Sequence, residues 1–452
     1  MAKINSFYSV QPSFVQIRRV DITPNDGSEK KSLLDANTVV FKYEEHMFRD
    51  TVEASIVMKD TGGNYNGKSL IEGLTIVGTE DVNIKLMDGF DNKLDLNLIV
   101  NKVTTPEVNT KSEIVVLNLV SEEKIRNEQE TATVKKRYDG RISDTVKKIL
   151  EENLKTTKIG EIESTTNNYN FIGNRQKPLY ILKWLAKKSL HKDHHKSDTA
   201  AYICYQNHKG FNFKSLDTLM NEKLNPIKEK FIYSENNEGA KIVSKFSDTK
   251  VIKFNVDNSM TANKKLRMGA YKTKLIIFDP FNCEYEEIVE ESKDVDKIIA
   301  GKELPKLNKK FSDVPTRTTY VLKDTGTLPS GDVEEQLKLS DKEIFEPAKI
   351  LNQSIRRLNN LALYNIDIEI NLDLSYKIGD AVFIDFKSLT PDNDGQFNKM
   401  IGGRYLVFSL NQTITASTAT TRLGLVRESV GRKVSQKGVL LDGESSTPTF
   451  EA

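Results

Sequence analysis

The chain has 452 residues, room for roughly two to four domains with their own cores. Its 66 Lys+Arg stand against 64 Asp+Glu, and a net charge of +2 excludes binding to nucleic acid by bulk charge. Its two cysteines, Cys204 and Cys283, lie far apart with no partner at metal or redox spacing, which excludes a disulfide framework and predicts small apolar residues in a reducing compartment.

The N-terminus, MAKINSFYSVQPSF, lacks the apolar core of a signal peptide, and no apolar run approaches the ~20 residues that cross a bilayer. A soluble protein made in the cytosol, without membrane insertion, is expected. From Phe14 to about Glu123 the apolar period is two: VVFKYEEH, TVEASIVMKD, DVNIKLMDG, LDLNLIVNKV and EIVVLNLV predict an antiparallel β-domain. From Ile142 the period becomes helical. ISDTVKKILEENL aligns Ile142, Val146, Ile149, Leu150 and Leu154 on one stripe, with Ser143 or Asp144 available as a cap. PLYILKWLAKKSL predicts a second helix opened by Pro178, with Leu179, Leu182, Leu185 and Ala186 inward beside Trp184. AAYICYQNHKGFNFKSLDTLM predicts a hairpin turning at Asn207 to Gly210 and a short helix after Ser215.

Strands return at KIVSKFS, VIKFNVD and TKLIIFDPFNCEYEEIV, whereas residues 292–345 are polar and read as long surface excursions. A helix over 347–363 follows, carrying Ile350, Ile355, Leu358 and Leu361. IDIEINLDL, GDAVFIDF and the hairpin GGRYLVFSLNQTIT/ATTRLGLVRES then follow. Alternation puts Leu406, Phe408 and Leu410 on one face of that hairpin, assigned to the core against the helix, and Tyr405, Val407 and Ser409 on the other. The tail after Arg432 is polar.

The closing hairpins of the two β-regions share a plan, each leaving through LV-x-E: Leu119, Val120, Glu122 and Leu425, Val426, Glu428. Either one β-module occurs twice in the chain, or two ordinary hairpins resemble each other by chance. Superposing about 38–123 on about 348–428 decides between these.

Chemical candidates are sparse. LHKDHHKSD gathers His191, Asp193, His194 and His195, but Lys192 and Lys196 repel a cation and the run follows a helix end, so a solvated terminus is expected rather than a metal site. The carboxylates of CEYEEIVEESKD read as exposed strand faces, not as an acid/base pair. Lys-rich ANKKLRMGAYKTK and PKLNKKFSD lack the aromatic interleaving of a single-strand platform and read as solvated charge. Phosphate loops, nucleophile elbows and zinc spacings do not occur. No catalytic residue, cofactor site or metal site is assigned.

The succession VFKYEEHMFRDTVEASIVMKDTGG, SEEKIRNEQETATVKKRYDGRISDTVKKIL, IESTTNNYNFIGNRQKPLYILKWLA and AAYICYQNHKGFNFKSLDTLM, over residues 35–225, resembles the baseplate hub protein of T-even-like contractile-tailed bacteriophages. IDIEINLDLSYKIGDAVFIDF followed by GGRYLVFSL fits that family's second tube-like domain less specifically. The resemblance implies an α+β, mostly β chain in which two tube-type antiparallel β-barrel-like domains flank mixed α/β domains, assembled as a trimeric ring. The expected boundaries are 1–124 for the first tube-type domain, 125–235 for an α+β middle domain and 236–346 for a β-rich domain with long charged loops. A helix plus the second tube-type domain take 347–430, and a polar tail takes 431–452. It further implies a non-enzymatic virion component assembled in the host bacterial cytoplasm. Such a homotrimer sits between a six-fold tail tube protein ring and a three-fold central spike protein, with baseplate wedge and tape measure proteins as further partners. DNA passes its channel without specific binding. A cell-wall hydrolase and a nucleic-acid-binding protein are the competing classes. The first requires an acid/base cleft, the second a steep salt dependence.

Overall fold

The computed structural model describes residues 15–34, 37–63, 65, 67–108, 111–191, 200–233, 251–257, 262–280, 282–291, 308–324, 326–327, 331–336, 338, 347–361, 364–386 and 401–427. The predicted strand KIVSKFS, His194, His195, the tail and most of 292–345 lie outside these residues.

The chain opens with β1 (Val15–Thr23), β2 (Lys31–Ser32), β3 (Asn37–His46), β4 (Glu53–Asp60), helix α1 (Leu70–Leu74), β5 (Asp81–Asp88), β6 (Lys93–Val108) and β7 (Glu113–Val120). Alternation sets their faces: Ile56 and Met58, Ile84 and Leu86, Leu117 and Leu119 point into the core, while Ser55, Lys85 and Asn118 stay partly exposed.

The middle region then runs through α2 (Glu122–Arg126), β8 (Arg137–Tyr138), α3 (Ile142–Lys148), which continues as one wide turn over Ile149–Asn153, β9 (Ile159–Ile162), β10 (Phe171–Ile172) and α4 (Pro178–Lys187). It ends with β11 (Tyr202–Asn207), β12 (Gly210–Ser215) and α5 (Leu216–Met220). It has its own core, in which the predicted stripe of Ile142, Val146, Ile149, Leu150 and Leu154 is completely buried against Leu182, Leu185, Phe211 and Phe213. At about 1.5–3 kcal/mol per buried side chain, that stripe outweighs any cap contribution to the helix. Indeed neither Ser143 nor Asp144 caps α3. Arg141 holds the cap position, and Thr165 Oγ1 accepts from the Ser143 N–H at 3.1 Å.

The last part contains β13 (Ile227–Tyr233), β14 (Val251–Asp257), α6 (Ala262–Arg267), β15 (Lys272–Asp279), β16 (Glu284–Glu291), α7 (Lys309–Ser312), β17 (Arg317–Leu322), α8 (Pro347–Leu361), β18 (Tyr364–Asn371), β19 (Ala381–Phe386), β20 (Gly403–Thr415) and β21 (Ala419–Arg427). Strands β16, β15 and β17 form a small separate sheet, so part of the expected excursion over 292–345 is ordered strand. Residues 324–327 also dock on the middle region: Thr327 N–H donates to Asn170 O at 2.7 Å, and Asp324 accepts from the Tyr169 hydroxyl at 2.8 Å.

Thirteen strands make one sheet, antiparallel except where β13 joins β19, which curls as a half-barrel over a core shared by both β-regions rather than dividing into two closed barrels. Within it the plan repeats. The ladder β3-β4-β7-β6-β5-β1 in the first half is matched by β14-β18-β21-β20-β19-β13 in the second. Five strands of each ladder run antiparallel in the same way; the sixth departs, since β1 is antiparallel to β5 and β13 is parallel to β19.

The register agrees as well. Ile99 faces Val120 as Leu406 faces Val426, and a bulge follows in each hairpin, at Asn101 and at Phe408. A second pair of bulges falls at Val39 against β4 and at Ile252 against β18, again at equivalent positions. Bulges persist because they re-aim a strand, so two coincident pairs are hard to reconcile with chance. Leu119–Val120 and Leu425–Val426, singled out in the sequence, occupy equivalent places. One departure is an extra residue near Thr105–Pro106 of β6, without counterpart in β20.

The bulge overturns the expected faces of the second hairpin. Leu406 and Leu410 are buried, but Phe408 is only partly so: as the inserted residue it leaves the alternation and lies edge-on to His46 and Phe48, each 4.8 Å away between ring centroids. Tyr405 and Val407, assigned outward, are buried. Gly424 opposes the bulge, where a Cβ would come within 2.1 Å of Ser409 Oγ. Helix α8 also differs from expectation. It packs on α4, β15, β16 and β21, burying Ser354, Arg357, Asn360 and Leu361, while Ile355 and Leu358 are half-buried and the Ile350 side chain lies outside the described set.

Candidate assembly surface

The two repeats meet along one seam inside the chain. The C-terminal half of β20 leaves β19 and pairs antiparallel with β3, from Ser409 opposite His46 to Thr415 opposite Val40. Leu410 and Ile414 bury against Phe41 on the core side. On the other face Asn411 Nδ2 donates to Glu44 Oε1 at 2.9 Å, and Arg49 bridges Glu44 and Glu53 at 2.6 and 2.9 Å.

Beneath the seam sits Glu45, 1% exposed. Its Oε1 accepts from the Tyr43 hydroxyl at 2.9 Å and from His208 N–H at 2.7 Å, with His208 Nδ1 at 3.0 Å; its Oε2 accepts from Ile378 N–H at 2.9 Å. One carboxylate thus joins the first repeat, the β11–β12 turn of the middle region and the loop ahead of β19. Burial, followed by the adjacent Glu45 charge, pushes the Tyr43 phenol well above its ordinary range. Asp88 acts alike: it holds its own β5–β6 turn through Phe90 N and Asn92 N, both at 2.9 Å, and accepts from Leu374 N at 2.8 Å. Two carboxylates of the first repeat therefore satisfy backbone donors of the second, which burial would otherwise leave unpaired.

The middle region is fastened in the same way. Glu123 accepts from Thr156 Oγ1 at 2.6 Å and Gln206 Nε2 at 3.1 Å, and Gln206 Oε1 accepts from Val52 N at 3.2 Å. Arg357 of α8 forms a two-point pair with Asp217 of α5 at 2.7 and 3.0 Å and donates to Ala200 O at 2.6 Å; both side chains are almost wholly buried. This pair explains why α8 turns a polar face inward.

The sequence candidates fare differently. His191 is buried, not solvated: its Nε2 lies 2.5 Å from Glu163 Oε1 and 3.1 Å from Thr218 Oγ1, because the chain after α4 folds back beneath α5. Burial raises the Glu163 carboxyl, but hydrogen bonds from His191, Ser215 N and Thr218 prevail and hold it below its ordinary value. Hydroxyl, imidazole and carboxylate do gather here. In a nucleophilic triad, however, hydroxyl and carboxylate occupy opposite ring nitrogens. Here both meet Nε2; the Ser215 hydroxyl is consumed in capping α5, where it accepts from the Thr218 N–H, and the Thr218 hydroxyl donates to Glu163.

Among the described residues no His, Cys, Asp and Glu group has metal-site geometry, and no helix is long and apolar enough to cross a membrane. Cys204 is buried, its thiol pushed up to about 12 by burial, whereas Cys283 is exposed rather than packed. Glu284, Glu286 and Glu287 of β16 are exposed as expected, with Glu287 paired to Lys274 at 2.7 Å. Lys265, read as solvated, is buried 3.3 Å from the Tyr364 hydroxyl. Tyr320 and Leu322 of β17 and Tyr285 of β16 form an exposed apolar strip across the small sheet.

The seam residues Glu45 and Asp88 were not singled out in the sequence. A signal existed in VVFKYEEH, where alternation places Phe41, Tyr43 and Glu45 on one inward face.

No protein family matches the sequence, and no curated relative does. Solved structures do match in fold. A 43 kDa tail protein of prophage MuSo2 from Shewanella oneidensis is similar over 91% of this chain and 98% of its own, with a TM-score of 0.50 at 9% identity. A tail protein from Neisseria meningitidis MC58 is similar over 91% and 96%, with a TM-score of 0.47 at 8% identity. An E. coli protein described as a type VI secretion system component, structurally similar to T4 bacteriophage tail proteins, is similar over 92% and 77%, with a TM-score of 0.42 at 8% identity. The fold is that of phage tail proteins, mostly β with few helices.

Proposed function

We propose that the protein is a structural component of a phage tail, and specifically the hub at the centre of its baseplate. Three chains, each bringing two like β-repeats, form a ring of six modules that joins a three-fold spike to a six-fold tail tube and surrounds the passage for DNA. The observation that carries this reading is the internal repeat. A ring built by one head-to-tail contact can be closed by half as many chains as modules only if each chain carries that contact twice. The exposed apolar strip on β16 and β17 is available to a tail partner. Assembly takes place in the host cytoplasm and the product resides in the virion. The work is done by surfaces, not by catalysis: the two hydroxyl–imidazole–carboxylate clusters described, around His191 and around Glu45, are wired for packing. Native mass spectrometry and light scattering test the reading. A stable trimer is expected, and a monomer at all concentrations overturns it.

A further inference from the structure

Strand β20 serves three neighbours: β21 along one edge, and β19 then β3 along the other. Its counterpart β6 serves two. One edge pairs with β7, and the other pairs with β5 only as far as Ile99, with Val100 bonded to Thr79 and Glu80. Beyond that point, residues 101–108 have no strand on their outer edge among the described residues, and Asn101, Lys102, Thr105 and Pro106 are exposed. Among the described residues, none fills on β6 the place that β3 fills on β20. The counterpart of β3 is β14, which ends the sheet order and likewise has no strand on its outer edge among the described residues.

We propose that these two edges are partners: residues 102–108 of β6 in one copy receive β14 of a second copy, antiparallel, reproducing between chains the seam that β20 and β3 make within one. The inference deepens the hub reading and rests on it. The ladders fix the register. Asn411 is equivalent to Thr104 through β21 and β7, and Glu44 is equivalent to Asp257 through β4 and β18. Thr104 therefore faces Asp257 of the second copy, as Asn411 faces Glu44. In the same register Glu107 faces Asn255. Because the two edges differ, the contact is head-to-tail and propagates until a ring closes.

Lys102 and Pro106 are also the residue types that guard a lone edge against pairing, and the experiment separates the two roles. In a Cys283→Ser background, Thr104→Cys with Asp257→Cys should give, on mild oxidation, covalent oligomers up to the mass of the native assembly. Asn411→Cys with Glu44→Cys should link only within a chain. Hydrogen exchange of the unaltered protein gives a second readout that needs no variant. In the assembled form, amides of 102–105, 107–108 and 253–257 should exchange at least tenfold more slowly than those of an exposed edge. An oligomer that neither cross-links nor protects these segments overturns this seam and leaves the hub reading standing. A protein monomeric at every concentration overturns both.

Discussion

Removing the buried carboxylate under the seam is the sharpest test of how the repeats cohere. Glu45→Ala deprives the Tyr43 hydroxyl, His208 and the Ile378 N–H of their acceptor in a site that water reaches only beside His208. A buried donor left unpaired costs about 1–3 kcal/mol, and three such groups give about 4–6 kcal/mol after partial rescue by water near His208. That approaches the whole stability of an ordinary domain. Glu45→Gln keeps shape and one acceptor oxygen but turns an NH2 group toward a donor, for about 2 kcal/mol. Urea unfolding followed by far-UV circular dichroism and by Trp184 fluorescence measures both. A double-mutant cycle with Tyr43→Phe should return a coupling of about 1–2 kcal/mol. If Glu45→Ala unfolds within 1 kcal/mol of the parent, the carboxylate does not hold the repeats together and the seam rests on apolar packing alone.

Phe408→Ala should cost only about 1–2 kcal/mol, being a partly buried bulge residue in edge contacts, whereas Leu410→Ala on the core face should cost about 2–5 kcal/mol; thermal melts separate the two. Arg357→Ala strands a buried Asp217 and should cost about 3–5 kcal/mol, while Arg357→Met with Asp217→Leu should recover most of it in the same assay. His191→Ala should cost about 1–3 kcal/mol, more than a solvated residue would. Glu163 and Glu123 are held below their ordinary value of 4.5, so the stability they lend is present above that pH and lost as pH falls through their lowered folded values. Glu163→Gln should flatten that acid decline in a pH series of melting temperatures.

Period-two patterning located most of the large sheet's strands, and the LV-x-E exits marked the repeat, because both are written in neighbouring residues. The bulge at Phe408 is not. Whether a strand inserts a residue depends on the partner strand's register, here on Gly424 and His46, which local alternation does not encode. The inward polar face of α8 was illegible for the same reason, since Arg357 is explained by Asp217, 140 residues away. His191 was misjudged because the segment that buries it, α5, follows a hairpin later in the chain.

The seam also sets a schedule for making the protein. The groups joined by Asn411 and Glu44 stand 367 residues apart, so β3 leaves the ribosome long before β20 exists. At about 5–20 residues per second, its outer edge waits roughly 20–70 s for its partner. During that interval Val40 and Phe41 present a bare β edge, open to association with other nascent chains. The middle region is synthesised in that gap and can reach its own core first, and its His208 turn then meets Glu45 ahead of the second repeat. Chaperone dependence should accordingly concentrate in the first 120 residues during translation, while the completed chain, with that edge occupied, should need none.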